Sequence, residues 1–193
     1  MIKVILASQS KVRKEILDKN KILNQVEPSN VDEDIVKKSL LKEKATPEII
    51  SKNLAELKAN KVSIKNPSDI VLGADSVIDL DGKIISKPES REEAFEILKM
   101  LNGKKHTLIS SVCISKNGSM IWNYTDTSEL KMKELTDDEL QEYLSKIDTK
   151  TLLAYGVYQI EANGFELFEY IKGDRDSIMG LPMKDIINYI KQY

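Results

Sequence analysis

Two long runs, "HTLISSVCIS" from His106 and "SMIWNYTDTSELKM" from Ser119, flank the dipeptide Asn117-Gly118. Asn-Gly between runs rich in β-branched and aromatic residues predicts a two-residue hairpin, since both turn positions need positive φ. The fold must therefore contain antiparallel strands. The N-terminal "IKVILA" (2–7) predicts a short, fully buried strand. A helix follows at once, with Val12, Ile16 and Leu17 at helical spacing between Lys11 and Lys19.

Other elements carry their own punctuation. Thr46 caps a helix from Pro47 to Val62, with proline at its first position. "SREE" (90–93) and "TDDE" (136–139) are capping boxes opening helices that reach Leu101 and Lys146. "DIVLGADSVIDL" reads as a strand interrupted by Gly73 and turned back at Asp81-Gly82. The end alternates "FELFEYIKG" (strand) with "LPMKDIINYIKQY" (helix). Helices mixed with hairpins predict an α/β fold, a mixed twisted sheet with flanking helices. The 193 residues suit one domain, 1–193, or two closely joined lobes sharing a sheet.

Composition excludes several function classes. No apolar run approaches the roughly 20 residues of a membrane span, and the first residues read as a strand rather than a signal peptide. The expectation is a cytoplasmic protein. A lone cysteine, Cys113, excludes an internal disulfide and a Cys-rich zinc site, and reads as a buried thiol. A formal charge of −2 offers nucleic acid no global attraction, and no basic stripe with interleaved aromatics stands out. His106, the only histidine, reads as a hydrogen-bonded structural residue at a strand start.

The first strand-to-helix turn carries Ser8, Ser10, Lys11 and Arg13. Unpaired N–H groups and the helix dipole favour an anion at such a turn, and these side chains add donors and positive charge suited to phosphate. A capped helix start with surface charge is the plainer reading of the same residues. Asp75 sits inside an apolar strand after Gly73-Ala74, where an ionised carboxylate is costly unless paired or bound to metal. "NVDED" (30–34) supplies Asp32 and Glu33. Two carboxylates with substrate phosphates suit magnesium or manganese. Lys58 and Lys87 are cationic candidates, each also readable as a solvated lysine.

Taken together these motifs resemble the Maf family of nucleoside triphosphate pyrophosphatases. "LASxSxxR" is matched by Leu6, Ala7, Ser8, Ser10 and Arg13, "VDE" by Val31-Asp32-Glu33, and "LAxxKA" by Leu54 to Ala59. "GAD" is Gly73-Ala74-Asp75, "KP" is Lys87-Pro88, "LxGxxH" runs from Leu101 to His106, and "GLP" is Gly180-Leu181-Pro182. The resemblance implies an elongated two-lobed fold with a central cleft, related to inosine triphosphate pyrophosphatase. It also implies a homodimer and cleavage of a nucleoside triphosphate to monophosphate and pyrophosphate with a divalent metal, Mg or Mn. It places the proton acceptor on Asp75, which could equally hold metal-bound water. Glu33 falls to the metal, and Ser8, Ser10, Arg13, Lys58 and Lys87 to the triphosphate.

The chain departs from the family pattern in places. Val12 replaces an arginine, Ser76 a threonine, and Leu153-Ala154 an Asp-Lys pair. Glu161 stands where the dTTP- and UTP-cleaving branch has glutamine, and resembles the branch that hydrolyses 7-methyl-GTP, whereas Val12 and Ser76 stand where that branch has tryptophan and glutamine. Position 76 and Glu161 thus bear on the base. Two rival readings are an enzyme acting on another phosphorylated metabolite and a non-catalytic nucleotide-binding regulator of cell division.

Overall fold

The structure is a computed structural model describing residues 3–158, 160 and 163–192. In chain order it runs β1 (Lys3–Leu6), α1 (Lys11–Lys19), β2 (Leu23–Val26), α2 (Glu33–Lys42), α3 (Pro47–Ser63), β3 (Ile70–Leu80) and β4 (Lys83–Ile85). It continues through α4 (Arg91–Leu101), β5 (Lys105–Lys116), β6 (Ser119–Met132), α5 (Asp137–Ser145) and α6 (Thr149–Tyr155). A 3-10 turn (Asn163–Leu167), β7 (Phe168–Lys172), α7 (Arg175–Ile178) and α8 (Met183–Ile190) complete it. Among the described residues seven strands form one sheet in the order β2-β1-β3-β5-β6-β7, with β4 paired to β3. β1 is parallel to both β2 and β3, whereas β4 runs antiparallel to β3 and β7 to β6. This is the mixed α/β sheet that the hairpins and capped helices demand. Among the described residues no helix is long and apolar enough to cross a membrane.

Both expected tight turns form. Asn117 and Gly118 lie at φ 50° and 78°, and Asp81 and Gly82 at 53° and 81°. Thr136 and Glu139 make the full reciprocal capping box. At the other box Ser90 caps the N–H of Glu93, but the Glu93 carboxylate reaches past it to the N–H of Glu89 at 2.7 Å.

One expectation is overturned. Gly73 does not interrupt its strand, because β3 is continuous from Ile70 to Leu80. The glycine is there for helix packing: a Cβ on it would lie 2.2 Å from the Ala55 carbonyl oxygen and 2.7 Å from the Ala59 nitrogen. α3 crosses the strand at backbone contact. The run "FELFEYIKG" is also shorter as a strand than expected, its first residues belonging to the 3-10 turn.

The chain divides into two compact units. The first comprises residues 1–77, 109–127 and 174–193, the second 78–108 and 128–173. In the first, Val4, Leu6, Leu72, Ala74, Val112 and Ile114 point to one face of the sheet and pack with Ile16 and Leu17 of α1 and Ile186 and Ile190 of α8. The alternate residues Ile5, Ala7 and Val71 meet Val62 of α3, as the two-residue period of a strand requires. In the second, Leu98, Leu101, Leu130, Met132, Leu140, Leu144 and Leu152 are buried.

Candidate active site

β1 lies between two parallel neighbours. From β1 the chain passes through α1 to β2 on one side, then through α2 and α3 to β3 on the other. α1 and α3 pack on opposite faces. Such a reversal of direction opens a crevice beyond the carboxyl ends of the strands, where ligands of open α/β sheets bind. β1 ends at Leu6, opposite Leu72, while β3 runs on to Leu80. The turn 7–10 and residues 74–76 of β3 therefore meet at this point.

Arg13 is the clasp on the α1 face. Its Nη1 donates to the Ala74 carbonyl at 2.9 Å and to Ser8 Oγ at 3.3 Å, its Nη2 to Ser76 Oγ at 3.2 Å, and its Nε to the Gly180 carbonyl at 3.1 Å. Four of the five guanidinium N–H groups are thereby engaged. Burial lowers the guanidinium pKa, opposed by the charges of Asp75 and Glu33. Ser10 is the N-cap of α1, its Oγ accepting from the Arg13 N–H at 3.3 Å. Ser8 Oγ accepts from the Ser10 N–H at 3.2 Å as well as from Arg13, which leaves its own hydrogen to give.

On the α3 face, Lys58 joins two carboxylates. Its Nζ lies 2.8 Å from Asp75 Oδ1 and 2.8 Å from Glu33 Oε1. Lys58 and Asp75 are buried, with Glu33 more open. The close crossing at Gly73 brings Lys58 of α3 onto Asp75 of β3, and Ser51 of the same helix donates to the Asp75 carbonyl at 3.2 Å. Glu33 arrives from the first residue of α2, which Asp32 caps by accepting from the Ile35 N–H at 3.0 Å. Asp75 Oδ2 is buried with no hydrogen-bond partner among the described residues. Burial raises the pKa of Asp75, Lys58 pulling the other way. A carboxylate of this kind is costly to keep ionised and is a strong acceptor for whatever reaches it.

The structure thus brings Ser8, Ser10, Arg13, Glu33, Lys58, Asp75 and Ser76 together within the first unit. Lys87 belongs to the second unit, where its Nζ donates to the Ala154 carbonyl at 2.7 Å. Glu161 lies outside the described residues. Val12 packs against the apolar core. His106 is structural as expected: its Nε2 lies 3.0 Å from the Tyr158 hydroxyl, and burial pushes its pKa down to about 4. Burial raises the Cys113 thiol to about 11, so it is no nucleophile. Sequence reasoning passed over Ser110, whose Oγ donates to the Ser177 carbonyl at 2.7 Å and lies 3.1 Å from Ser76 Oγ. The signal that exposed Asp75, a polar residue inside an apolar strand, was equally present there.

A family model described as Maf-like protein matches residues 3–193. The chain belongs to the Maf-like family. A Maf relative from Pelagibacter ubique, named nucleoside triphosphate pyrophosphatase, is 68% identical over 188 residues, covering 97% of this chain and 96% of its own. One of the same name from Ruegeria pomeroyi is 36% identical over 98% of this chain and 95% of its own. A 7-methyl-GTP pyrophosphatase from Rhizobium etli is 33% identical, with 98% and 96% covered. Among solved structures, the Staphylococcus aureus Ham1 protein matches 67% of this Maf chain and 71% of its own at 16% identity and TM-score 0.43.

Proposed function

We propose that this Maf-like protein hydrolyses nucleoside triphosphates to monophosphate and pyrophosphate, with Asp75 accepting a proton from the attacking water. The observation that carries this is the Asp75 carboxylate, buried, tied through Oδ1 to Lys58, with Oδ2 unpartnered among the described residues. Its raised pKa makes it a better base than a solvated aspartate. Lys58 fixes the carboxylate and links it to Glu33. Water attacks the α-phosphorus, Asp75 takes its proton, the α–β anhydride breaks, and pyrophosphate leaves. The family membership and the names of the relatives support the same chemistry.

The turn before α1 receives the phosphates. Ser8 gives its hydroxyl hydrogen, the first N–H groups of α1 have no intrahelical acceptor, and Arg13 adds fixed positive charge. Glu33 is a hard oxygen donor suited to a divalent cation, which leaves Asp75 Oδ2 to the attacking water. Among the described residues no group of three or more His, Cys, Asp or Glu could hold a metal, so phosphate and water oxygens would complete its shell. When bound, the cation neutralises charge developing on the phosphate oxygens. Glu161 favours a guanine or its 7-methylated form, since a carboxylate accepts from the guanine edge and attracts a cationic base.

The test is pyrophosphate release, with magnesium or manganese, from dTTP, UTP, CTP, GTP, ATP and 7-methyl-GTP. Asp75→Asn is expected to lower turnover by about 10²–10⁴-fold while the protein stays folded. The acid limb of kcat/KM is expected above the ordinary aspartate range, because turnover fails as Asp75 takes up its proton. Glu161→Gln is expected to shift preference from 7-methyl-GTP toward dTTP or UTP. Wild-type protein inactive on every triphosphate, or no better than Asp75→Asn, would refute the proposal.

A further inference from the structure

Ser110 lies in β5, buried, and belongs to none of the motifs that mark the family resemblance. A hydroxyl has one hydrogen, and that of Ser110 goes to the Ser177 carbonyl at 2.7 Å. In its 3.1 Å contact with Ser76, Ser110 must therefore accept. Ser76 gives its hydrogen to Ser110, which leaves the Ser76 oxygen to accept from Arg13 Nη2 at 3.2 Å. The bonds run one way, from Arg13 through Ser76 and Ser110 to the Ser177 carbonyl.

Ser177 lies in α7, and the turn after that helix supplies the Gly180 carbonyl to Arg13 Nε. Two of the four acceptors around Arg13 thus depend on one segment, Gly180 directly and Ser76 through Ser110. Without the Ser110 acceptor the Ser76 hydroxyl is free to rotate, and orientations that turn its hydrogen toward Nη2 set donor against donor.

We propose that Ser110 is a positioning residue: it locks the Ser76 hydroxyl as an acceptor and so fixes the Arg13 guanidinium where it meets the triphosphate. The inference rests on the phosphate-binding role of Arg13 proposed above. Ser110 itself touches neither substrate nor reacting atoms.

Ser110→Ala is expected to raise KM about tenfold with kcat within about twofold of wild type, the scale of one lost hydrogen bond to a charged group. Ser110→Thr keeps the hydroxyl and is expected to restore KM. Ser115→Ala removes another buried hydroxyl of β5, one bonded to Asn60, and is expected to lower thermal stability without moving KM. Ser76→Ala should raise KM alike, with Ser110→Ala adding nothing on top of it. The Nε–Hε NMR signal of Arg13, one of three arginines in the chain, should shift in Ser110→Ala without nucleotide present.

If Ser110→Ala does not fold, Ser110→Cys, with a thiol of weak acceptor strength, takes its place. An unchanged KM with an unmoved Arg13 signal, or effects of Ser76→Ala and Ser110→Ala that simply add, would overturn the relay. Wild-type protein without turnover would instead count against the proposed function, and the Arg13 signal would still decide the relay.

Discussion

Replacing Gly73 with alanine sets local preference directly against tertiary packing. In a strand interior, glycine to alanine is worth about 0.5–1 kcal/mol in favour of the substitution, since glycine loses more chain entropy on folding. Gly73 is not among the residues at positive φ, so the backbone itself admits a side chain. The obstacle is α3. The new Cβ would lie 2.2 Å from the Ala55 carbonyl oxygen, 2.7 Å from the Ala59 nitrogen and 2.9 Å from the Ala59 Cβ. Two of these three are backbone atoms and cannot rotate away. Reaching ordinary contact requires helix and strand to part by on the order of 1 Å, and overpacking of this kind costs about 1–3 kcal/mol.

Set against the gain in chain entropy, the net loss is about 1 kcal/mol, or roughly 2–4 °C in Tm for a chain of this length. Lys58 sits between those two alanines, so the same displacement stretches its 2.8 Å contacts with Asp75 and Glu33. A misplacement of about 1 Å can lower turnover on the order of 10²-fold. Thermal unfolding and pyrophosphate release on one preparation measure both effects. Gly82→Ala is the control: its Cβ would meet nothing within 4 Å, its φ of +81° costs about 1–2 kcal/mol, and turnover should stand. A Gly73→Ala protein as stable and active as wild type would refute the packing argument.

Two further predictions follow from particular contacts. Above pH 6.5 His106 is neutral in both folded and unfolded chains; below it the unfolded chain takes up a proton that the folded one resists until about pH 4. Stability is therefore lost as pH falls through that window, by about 3 kcal/mol from this residue. Denaturant unfolding at pH 7 and pH 4 should show His106→Gln losing that much less than wild type, and parallel losses would sink the assignment. Gly180→Ala places a Cβ 3.1 Å from Arg13 Nε and 3.3 Å from both Nη2 and Ser76 Oγ, at a φ of +101°. KM for the triphosphate should rise about tenfold, and an unchanged KM would show that the guanidinium is not held as described.

Local signals in the sequence were enough for the Asn117-Gly118 and Asp81-Gly82 turns, the Ser90 and Thr136 caps, and helices α1, α3 and α4. Turn and cap preferences act over two to four residues, so they are written in adjacent positions. Asp75 was legible for a related reason: a charge inside an apolar strand has to be compensated somewhere. α2 and β2 were not legible. α2 buries none of its residues and β2 is a mostly exposed edge strand, so neither carries an apolar stripe to read.

The polar site depended still more on the tertiary fold. The sequence brought Asp32 and Glu33 forward together, and only the packing of α2 made one a cap and the other a partner of Lys58. Lys58 and Arg13 looked like free cations; the fold committed Lys58 to two carboxylates and Arg13 to acceptors as distant in sequence as Gly180, 167 positions away. Such pairings come from strand order and the faces on which helices cross the sheet. No local pattern encodes them, because each end is an ordinary polar residue until the chain closes around it.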